Sequence, residues 1–317
     1  MMAITPWHWL GFILCILFFL ALDLGVFHRR PHTVKFGEAI AWSAGWFALA
    51  MLFAAAIFVW RNRAEAAQFI TGYVIELSLS LDNVLVMAVL FAHLRVPMEY
   101  RHRLLFWGIL GVLVMRGAMI AAGVFLIAYY DWILYLLGAF LVLAGINMLA
   151  SKREMLPERN FVLRLAKSRF SISENLDGQR FFTRINGQLF LTPLALALLL
   201  IETTDLIFAM DSIPAVFSVT QDAFIIFTSN VFAILGLRSM YFVLAGALGY
   251  FRYLKVGLSA VLVFIGAKML VDPHGHEPKW FQVELPITVS LMVVAAILLI
   301  SIVLSVTAAQ REKVHVK

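Results

Sequence analysis

Two short acidic segments inside apolar blocks decide how this chain folds: residues 76–84 read ELSLSLDNV and residues 205–213 read DLIFAMDSI. Each segment begins with a carboxylic acid, carries an aspartate six positions later, and then has an amide or hydroxyl side chain. The next apolar block has an arginine near its centre in both cases, Arg116 in one and Arg238 in the other. The segments therefore predict two related copies of one helical unit, each with charged side chains at its middle.

The correspondence extends to a third block in each copy, because residues 145–149 read GINML and residues 266–270 read GAKML. Spans 3–5 of the chain are thus predicted to repeat as spans 6–8. Since three spans separate the two starting points, the copies run in opposite directions through the membrane. Inverted repeats with polar helices near the midplane are typical of secondary transporters. A duplication that serves structure alone is the alternative.

The composition places the chain in a membrane. Of its 317 residues, 62% are hydrophobic and 14% are charged, whereas soluble domains have roughly 45–50% apolar and about 25% charged residues. One soluble core cannot hide this much apolar surface, which disfavours a soluble enzyme, a disordered protein and a nucleic-acid binder. The single cysteine, Cys15, cannot form an internal disulfide.

Nine apolar blocks have the roughly 20 residues that a helix needs to cross a bilayer. The predicted spans are 7–27, 37–60, 68–94, 104–128, 131–150, 192–219, 223–249, 253–271 and 285–309. The predicted fold class is therefore an all-α polytopic membrane protein with an inverted three-helix repeat. Its single transmembrane domain comprises two N-terminal spans in 1–67, the first repeat in 68–150, a loop in 151–188, the second repeat in 189–271 and the ninth span.

Lysine and arginine indicate the orientation, because cytoplasmic loops are enriched in them. With the N-terminus outside, the inner segments hold 19 of these residues and the outer segments hold 3. We therefore predict an outside N-terminus and a cytoplasmic C-terminus, which also accounts for the net charge of +6 without a nucleic-acid partner. The inner loop 151–188 is predicted to contain a basic amphipathic helix at 158–170 and a hairpin at Asn186-Gly187. A gating or docking role of this loop is the alternative to a purely structural one.

Eight ionisable side chains lie at bilayer depth, where a charge is costly unless it is paired, hydrated or bound to an ion. The acids are Glu76, Asp82, Glu202, Asp205 and Asp211, and the cations are Arg116, Arg238 and Lys268. Their formal charges sum to −2, which suits one divalent cation or two protons. We interpret the acids as metal ligands and the cations as counter-ions or gating groups.

Oxygen donors dominate the predicted site. Asn83 and Ser212 follow the two aspartates directly and add an amide and a hydroxyl oxygen. Carboxylate, amide and hydroxyl oxygens suit hard cations such as Mn²⁺, Mg²⁺ and Ca²⁺. Asp23 near the inner end of span 1 and Asn230 in span 7 are further candidates, although Asn230 could equally serve an interhelical hydrogen bond.

Regular helices would keep the acids of one segment apart. Residues six positions apart, such as Glu76 and Asp82, lie about 120° apart around a helix, so one ion could not reach both. Pro214 also removes a backbone hydrogen bond just after Asp211. We therefore predict unwinding or kinking near Asp82-Asn83 and near 211–214, which would free backbone carbonyls as further ligands.

At these residues the chain resembles the TerC family of integral membrane proteins, most closely its Alx-type members, which are regarded as manganese exporters. The resemblance rests on residues 76–86, 202–215 and 228–242, and the segment DSIPA at 211–215 is quite specific. It implies Mn²⁺ efflux across a bacterial inner membrane, with Glu76, Asp82, Asp205 and Asp211 as the matching acidic positions. It also implies links to tellurite resistance and to alkaline or metal stress.

Two positions depart from the family pattern, since close relatives often carry lysine where this chain has Leu77 and Asn147. Loss of two cations bears on ion preference and coupling. The leading hypothesis is a transporter without a cofactor that moves Mn²⁺ as its substrate by alternating access, and the sequence leaves coupling to protons open. The alternative is a non-transporting scaffold or stress-response partner protein.

An enzymatic role is disfavoured. Paired aspartates in different spans are what an intramembrane aspartyl protease requires. The signatures that such enzymes share place glycine or tyrosine before the aspartate, whereas Leu81 precedes Asp82 and Met210 precedes Asp211. We therefore expect a binding and transport site rather than a catalytic one.

Overall fold

Nine α-helices make up most of the described chain in the computed structural model, which describes residues 4–22, 36–94, 96–130, 132–150, 168–173, 177–185, 187–245, 253–272 and 285–315. The helices are α1 Pro6–Leu22, α2 Phe36–Trp60, α3 Arg63–His93, α4 Met98–Tyr129, α5 Trp132–Ala150, α6 Pro193–Phe217, α7 Ala223–Ala245, α8 Leu254–Val271 and α9 Ile287–His315. The predictions for Asp23, for the side chains of Asp82 and Arg238, and for most of the amphipathic helix at 158–170 lie outside the described residues.

Eight of these helices, α2 to α9, are long and apolar enough to cross a membrane, while α1 is shorter, with 17 residues. The prediction of a polytopic all-α membrane protein is therefore confirmed. Helix α3 begins earlier than the predicted start at 68, because Asn62 caps it. The Asn62 Oδ1 atom accepts the Glu65 backbone N–H at 2.8 Å, and the Asn62 amide donates to the Glu65 carboxylate at 2.8 Å.

Helices α3 and α6 continue through the segments where we predicted unwinding. That prediction is wrong for this conformation. The physical reason is that side chains of other helices take the place that the freed carbonyls were predicted to fill. Asp205 accepts hydrogen bonds from Asn83 and Arg116, so regular helices already bring the polar groups together. Pro214 is accommodated near the end of α6, where its own carbonyl still accepts the N–H of Ser218 at 3.3 Å.

Two polar contacts mark the two ends of the helical bundle. Arg61, just after α2, reaches Asp222, just before α7, at 3.0 Å. Arg101, in the first turns of α4, donates to the hydroxyl of Tyr241 near the end of α7 at 2.9 Å. We refer to these ends as the Asp222 end and the Tyr241 end.

A small three-stranded sheet precedes α6. Its strands are β1 Ser171–Ile172, β2 Phe182–Ile185 and β3 Gln188–Leu191, in the order β1-β3-β2. Strands β2 and β3 are antiparallel, with Phe182 opposite Leu191, and Gly187 in their turn has a φ of +81°. Thr192 then caps α6 by accepting the backbone N–H of Ala195 at 3.4 Å. It is the single residue between β3 and α6, so the sheet leads directly into the helix.

Helices α5 and α8 approach each other most closely at glycines. A Cβ atom on Gly266 would lie 2.6 Å from the carbonyl oxygen of Gly138, and one on Gly145 would lie 2.9 Å from that of Ser259. Ser259 also donates its hydroxyl to the carbonyl oxygen of Gly145 at 2.5 Å. We call this contact the glycine seam. It tolerates no side chain at these glycines without a shift of the helices.

Candidate functional site

Arg116 on α4 lies at the centre of the bundle and forms ion pairs with acids from two other helices. Its side chain is 2% exposed, and its partners Glu76 on α3 and Asp205 on α6 are 0% and 1% exposed. Two nitrogens of Arg116 contact the two carboxylate oxygens of Asp205 at 2.9 and 3.0 Å, and a third contact reaches Glu76. A buried charge without a partner is strongly unfavourable, so the three side chains hold one another in place.

Two asparagine amides extend this network. The amide of Asn230 on α7 donates to Glu76 at 2.9 Å, and its carbonyl oxygen lies 3.3 Å from the Arg116 guanidinium. The amide of Asn83 on α3 donates to Asp205 at 2.7 Å. Both amides are 1% exposed or less, and each stabilises a carboxylate that Arg116 also contacts.

Two hydroxyl groups complete the network. Ser80 donates to Glu76 at 3.0 Å, one helical turn away on α3. Ser212 on α6 lies 3.3 Å from the Arg116 guanidinium. With ionised acids, the network carries two negative charges and one positive charge, so its formal sum is −1. We call these seven side chains, from Glu76, Ser80, Asn83, Arg116, Asp205, Ser212 and Asn230, the Arg116 network.

Two buried oxygen atoms, one in the network and one beside it, lack a hydrogen-bond partner among the described residues. One is the carbonyl oxygen of Asn83, whose amide binds Asp205. The other is Oε2 of Glu202, one turn before Asp205 on α6. The Glu202 carboxylate occupies the space that a side chain at Gly111 on α4 would fill. Oxygen atoms that are buried and unbonded in this way are unfavourable, and a cation is the kind of group that would satisfy them.

Small cavities adjoin the network on two sides. One, of about 20 Å³, is bordered by Asp205, Gly108, Met87 and Ile234. The other, of about 10 Å³, is bordered by Arg116, Asp211, Ser80 and Ser212. A cavity needs roughly 10–15 Å³ to hold one water molecule, so the first has room for a single water-sized species and the second is at the limit.

The predicted site residues whose side chains the structure describes fall into three groups. Glu76, Asn83, Asp205, Ser212, Arg116 and Asn230 meet in the Arg116 network. Glu202 and Asp211 lie beside it on α6, facing Gly111 and the smaller cavity respectively. Lys268 lies apart: its ammonium group contacts Asp272 at 3.4 Å and the carbonyl oxygen of Ser218 at 3.1 Å near the Asp222 end.

No three histidine, cysteine, aspartate or glutamate side chains of the described residues come together as a metal cluster. In this conformation the guanidinium of Arg116 fills the space between Glu76 and Asp205, where the sequence predicts an oxygen cage. Ser80 and Gly111 were not among the predicted site residues. The spacing of four residues from Glu76 could have indicated Ser80, since such pairs share a helix face.

The fold and the network together define a multi-pass membrane protein with a buried arginine–carboxylate centre. The chain belongs to the Integral membrane protein TerC family, which matches residues 61–313. An "Uncharacterized membrane protein STKORF319" of Myxococcus xanthus is 52% identical over 95% of this chain and 92% of its own length. The "Putative membrane-bound redox modulator Alx" of Escherichia coli (strain K12) is 43% identical over 95% and 94%. An "Uncharacterized membrane protein" of Rickettsia bellii is 36% identical over 90% and 94%. No solved structure matches the chain significantly.

Proposed function

We propose that the protein exports a divalent cation, with Mn²⁺ as its substrate, from the cytoplasm across a bacterial inner membrane by alternating access. The observation that carries this proposal is the position of Arg116 between Glu76 and Asp205. These acids occupy equivalent places in the two segments of the predicted repeat. A positive side chain that joins both would act as the counter-ion of the empty carrier, and the substrate would compete with it.

Charge balance gives the proposal a definite form. Arg116 balances one of the two negative charges of Glu76 and Asp205, and one proton would balance the other. A divalent cation in place of the guanidinium balances both. Binding of one cation would therefore displace one proton from this pair of acids, and the buried centre would stay close to neutral in each state, as bilayer depth requires.

The surroundings of Arg116 offer the guanidinium a second position. Arg116 and Asp211 border the same small cavity, together with Ser80 and Ser212. A displaced Arg116 could thus turn toward Asp211 and remain paired. Asp211 would be protonated in the empty carrier and would release a second proton in this step, so two protons would return for each cation exported. The cation would gain the carbonyl oxygen of Asn83, which has no partner among the described residues, in addition to the carboxylates. These are the hard oxygen ligands that Mn²⁺ accepts.

The glycine seam supports the inverted repeat on which alternating access depends. If Gly145 corresponds to Gly266, as the segments GINML and GAKML indicate, then Gly138 corresponds to Ser259. The contact of Gly145 with Ser259 is then the counterpart of the contact of Gly266 with Gly138. Two contacts exchanged in this way are expected for units related by a twofold axis in the membrane plane.

The decisive experiment is Mn²⁺ flux into sealed vesicles that contain purified protein. We expect Glu76→Gln and Asp205→Asn each to abolish flux, while Asp177→Asn, which changes an exposed acid in the loop before β2, keeps it. Equal flux in the native protein and in all three variants would refute the proposed binding site. Flux of Ca²⁺ or Mg²⁺ instead of Mn²⁺ would support the proposed binding site but assign it a different substrate. Flux that does not depend on an imposed pH gradient would contradict the coupling to protons.

A non-transporting scaffold remains the competing function, and the network offers a test of it. The variant Glu76→Gln/Asp205→Asn/Arg116→Gln removes every charge of the network while keeping hydrogen-bonding groups in place, a change that folded proteins often tolerate. A scaffold would keep its cellular role in this variant, whereas a cation transporter would lose it.

A further inference from the structure

A large cavity lies between α1, α2 and α7, away from the Arg116 network. Its volume is about 500 Å³, within the roughly 300–1,000 Å³ of small-molecule sites. Its wall includes Gly11, Cys15, Leu52, Phe53, Phe224 and Phe232. We call this cavity the α1 groove. It is almost entirely apolar, which indicates a hydrocarbon occupant rather than an ion.

Helix α1 creates the groove because aromatic rings, and not small residues, hold it against the bundle. Phe12 contacts Phe53 and Phe232 with ring centroids 5.6 and 6.0 Å apart. Trp9 contacts Phe224 at 5.3 Å. Rings of this size keep the backbone of α1 away from its neighbours. Gly11 adds to the open space, because it lines the groove and a Cβ atom there would meet nothing within 4 Å.

The groove opens onto the surface that faces lipid. Gly11, Cys15 and Leu52 are exposed along its length, and α2 and α7 are membrane-spanning by length and composition. The apolar groove is thus continuous with the surface that the acyl chains of the bilayer already cover. An occupant could enter from the membrane without crossing water.

The length of the groove matches one leaflet. It extends from His8 and Trp60 at the Asp222 end to Phe19 on α1, which is about 17 Å along a helix and about half of the roughly 30 Å hydrocarbon core. The rings of His8 and Trp60 pack 4.5 Å apart at its mouth. Amphipathic rings are typical of the level of lipid headgroups, so the mouth lies where a headgroup would be.

We propose that the α1 groove binds one acyl chain of a phospholipid, with the headgroup at the Asp222 end, as an integral part of the folded protein. The lipid occupies the space between α1 and α2 that their side chains leave open and seals α1 to the bundle. This site is independent of the transport function proposed above, because it shares no side chain with the Arg116 network.

Native mass spectrometry tests the proposal on the purified chain reconstituted with phosphatidylethanolamine and phosphatidylglycerol and returned to detergent. We expect a phospholipid that survives delipidation in the native protein. In Gly11→Leu, which fills the groove, its occupancy should fall about tenfold, equivalent to about 1.4 kcal/mol of binding free energy. Gly45→Leu is the matched control, since Gly45 on α2 is also open but lies outside the groove.

A second pair of variants guards against misfolding of Gly11→Leu. Cys15→Phe also fills the groove, whereas Leu14→Phe adds a ring to the outer face of α1. Only the first should lose the lipid, and both should elute as monodisperse protein. A phospholipid with a diazirine at the end of its acyl chain should label α1 and α2 peptides before others.

Four results would overturn the proposal. Labelling spread over all lipid-facing helices would mean ordinary annular lipid only. A retained molecule with the mass of a quinone, or a dimer that buries α1, would mean a different occupant. Retention of phospholipid in both groove-filling variants would mean that the lipid binds elsewhere.

Discussion

Arg116 and Arg61 each join two acids, yet the two arrangements serve the molecule differently. Arg61 pairs with Glu65 and Asp222 at the Asp222 end, where the side chains are 11–25% exposed. Arg116 pairs with Glu76 and Asp205, which are at most 1% exposed. Charges near the end of a span can reach water, whereas those at mid-span depend wholly on each other. Arginine–carboxylate ion pairs therefore hold helix ends together at the Asp222 end. In the Arg116 network they neutralise charges that cannot reach water.

The Arg61 contacts also belong to helix caps, which supports a structural role. Asp222 accepts the backbone N–H groups of Phe224 and Ile225 at 2.9 and 3.3 Å at the start of α7. Asn62 and Glu65 cap α3 in the same region. In the Arg116 network, by contrast, the donors to Glu76 and Asp205 among the described residues are all side chains, and Arg116 is the only cation among them.

The largest effect is expected for Arg116→Gln. This change leaves Glu76 and Asp205 buried next to each other without a cation, and removal of one partner from a buried pair typically costs about 3–5 kcal/mol. Unfolding in mixed detergent micelles would measure the loss. Combining it with Glu76→Gln and Asp205→Asn should restore most of the stability, and a triple variant as unstable as Arg116→Gln would contradict the role of charge.

A smaller loss of stability is expected for Gly111→Ala, which tests the close contact between α4 and Glu202 beside the Arg116 network. The new methyl group overlaps the Glu202 carboxylate, and overpacking of this kind costs about 1–3 kcal/mol. The cost should vanish when Glu202→Ala is introduced as well, because the obstructing group is then absent. Gly108→Ala is the control on the same helix, since its methyl group would meet only a side-chain carbon of Ile201. An undiminished penalty in the double variant would place the clash elsewhere.

The smallest effect belongs to the Asp222 end. Asp222→Ala removes a helix cap and an ion pair, and loss of a cap costs about 1 kcal/mol. Part of this cost should disappear in high salt, which screens exposed ion pairs, whereas the penalty of Arg116→Gln should not change with salt. Unfolding measured at two salt concentrations distinguishes the two. Equal salt dependence would mean that the deep network is open to water.

Much of the fold follows from the sequence because membrane spans need only length and apolarity. Each predicted span corresponds to one helix. Helix α3 begins at Arg63 rather than at 68, and α4 begins at Met98 rather than at 104, because both helices start in polar segments outside the apolar blocks. Spacing along one helix also indicated that Glu76 and Asp205 lie at span centres. It could not indicate which arginine they meet, since that depends on the rotation of α4 against α3 and α6.

The error about unwinding has a related cause. The prediction treated each helix alone. It took the separation of Glu76 and Asp82 on a regular helix, and the backbone hydrogen bond that Pro214 removes, as reasons for a break. In the folded bundle, Asn83 and Ser212 bond to charged side chains of other helices, and both helices continue through these segments. Lys268 shows the same limit: its pairing with Asp272 is local in sequence, but its contact with Ser218 comes from the packing of α8 on α6.

The glycine seam has a consequence for any motion of this molecule. Two helices in backbone contact cannot slide past each other without lifting apart, so α5 and α8 are suited to act as a fulcrum. Rocking about that line would leave Gly138, Gly145 and Gly266 in touch while it widened one mouth of the bundle and narrowed the other. A covalent cross-link between α5 and α8 would then leave this rocking motion unaffected. The same cross-link between α3 and α6 would prevent it.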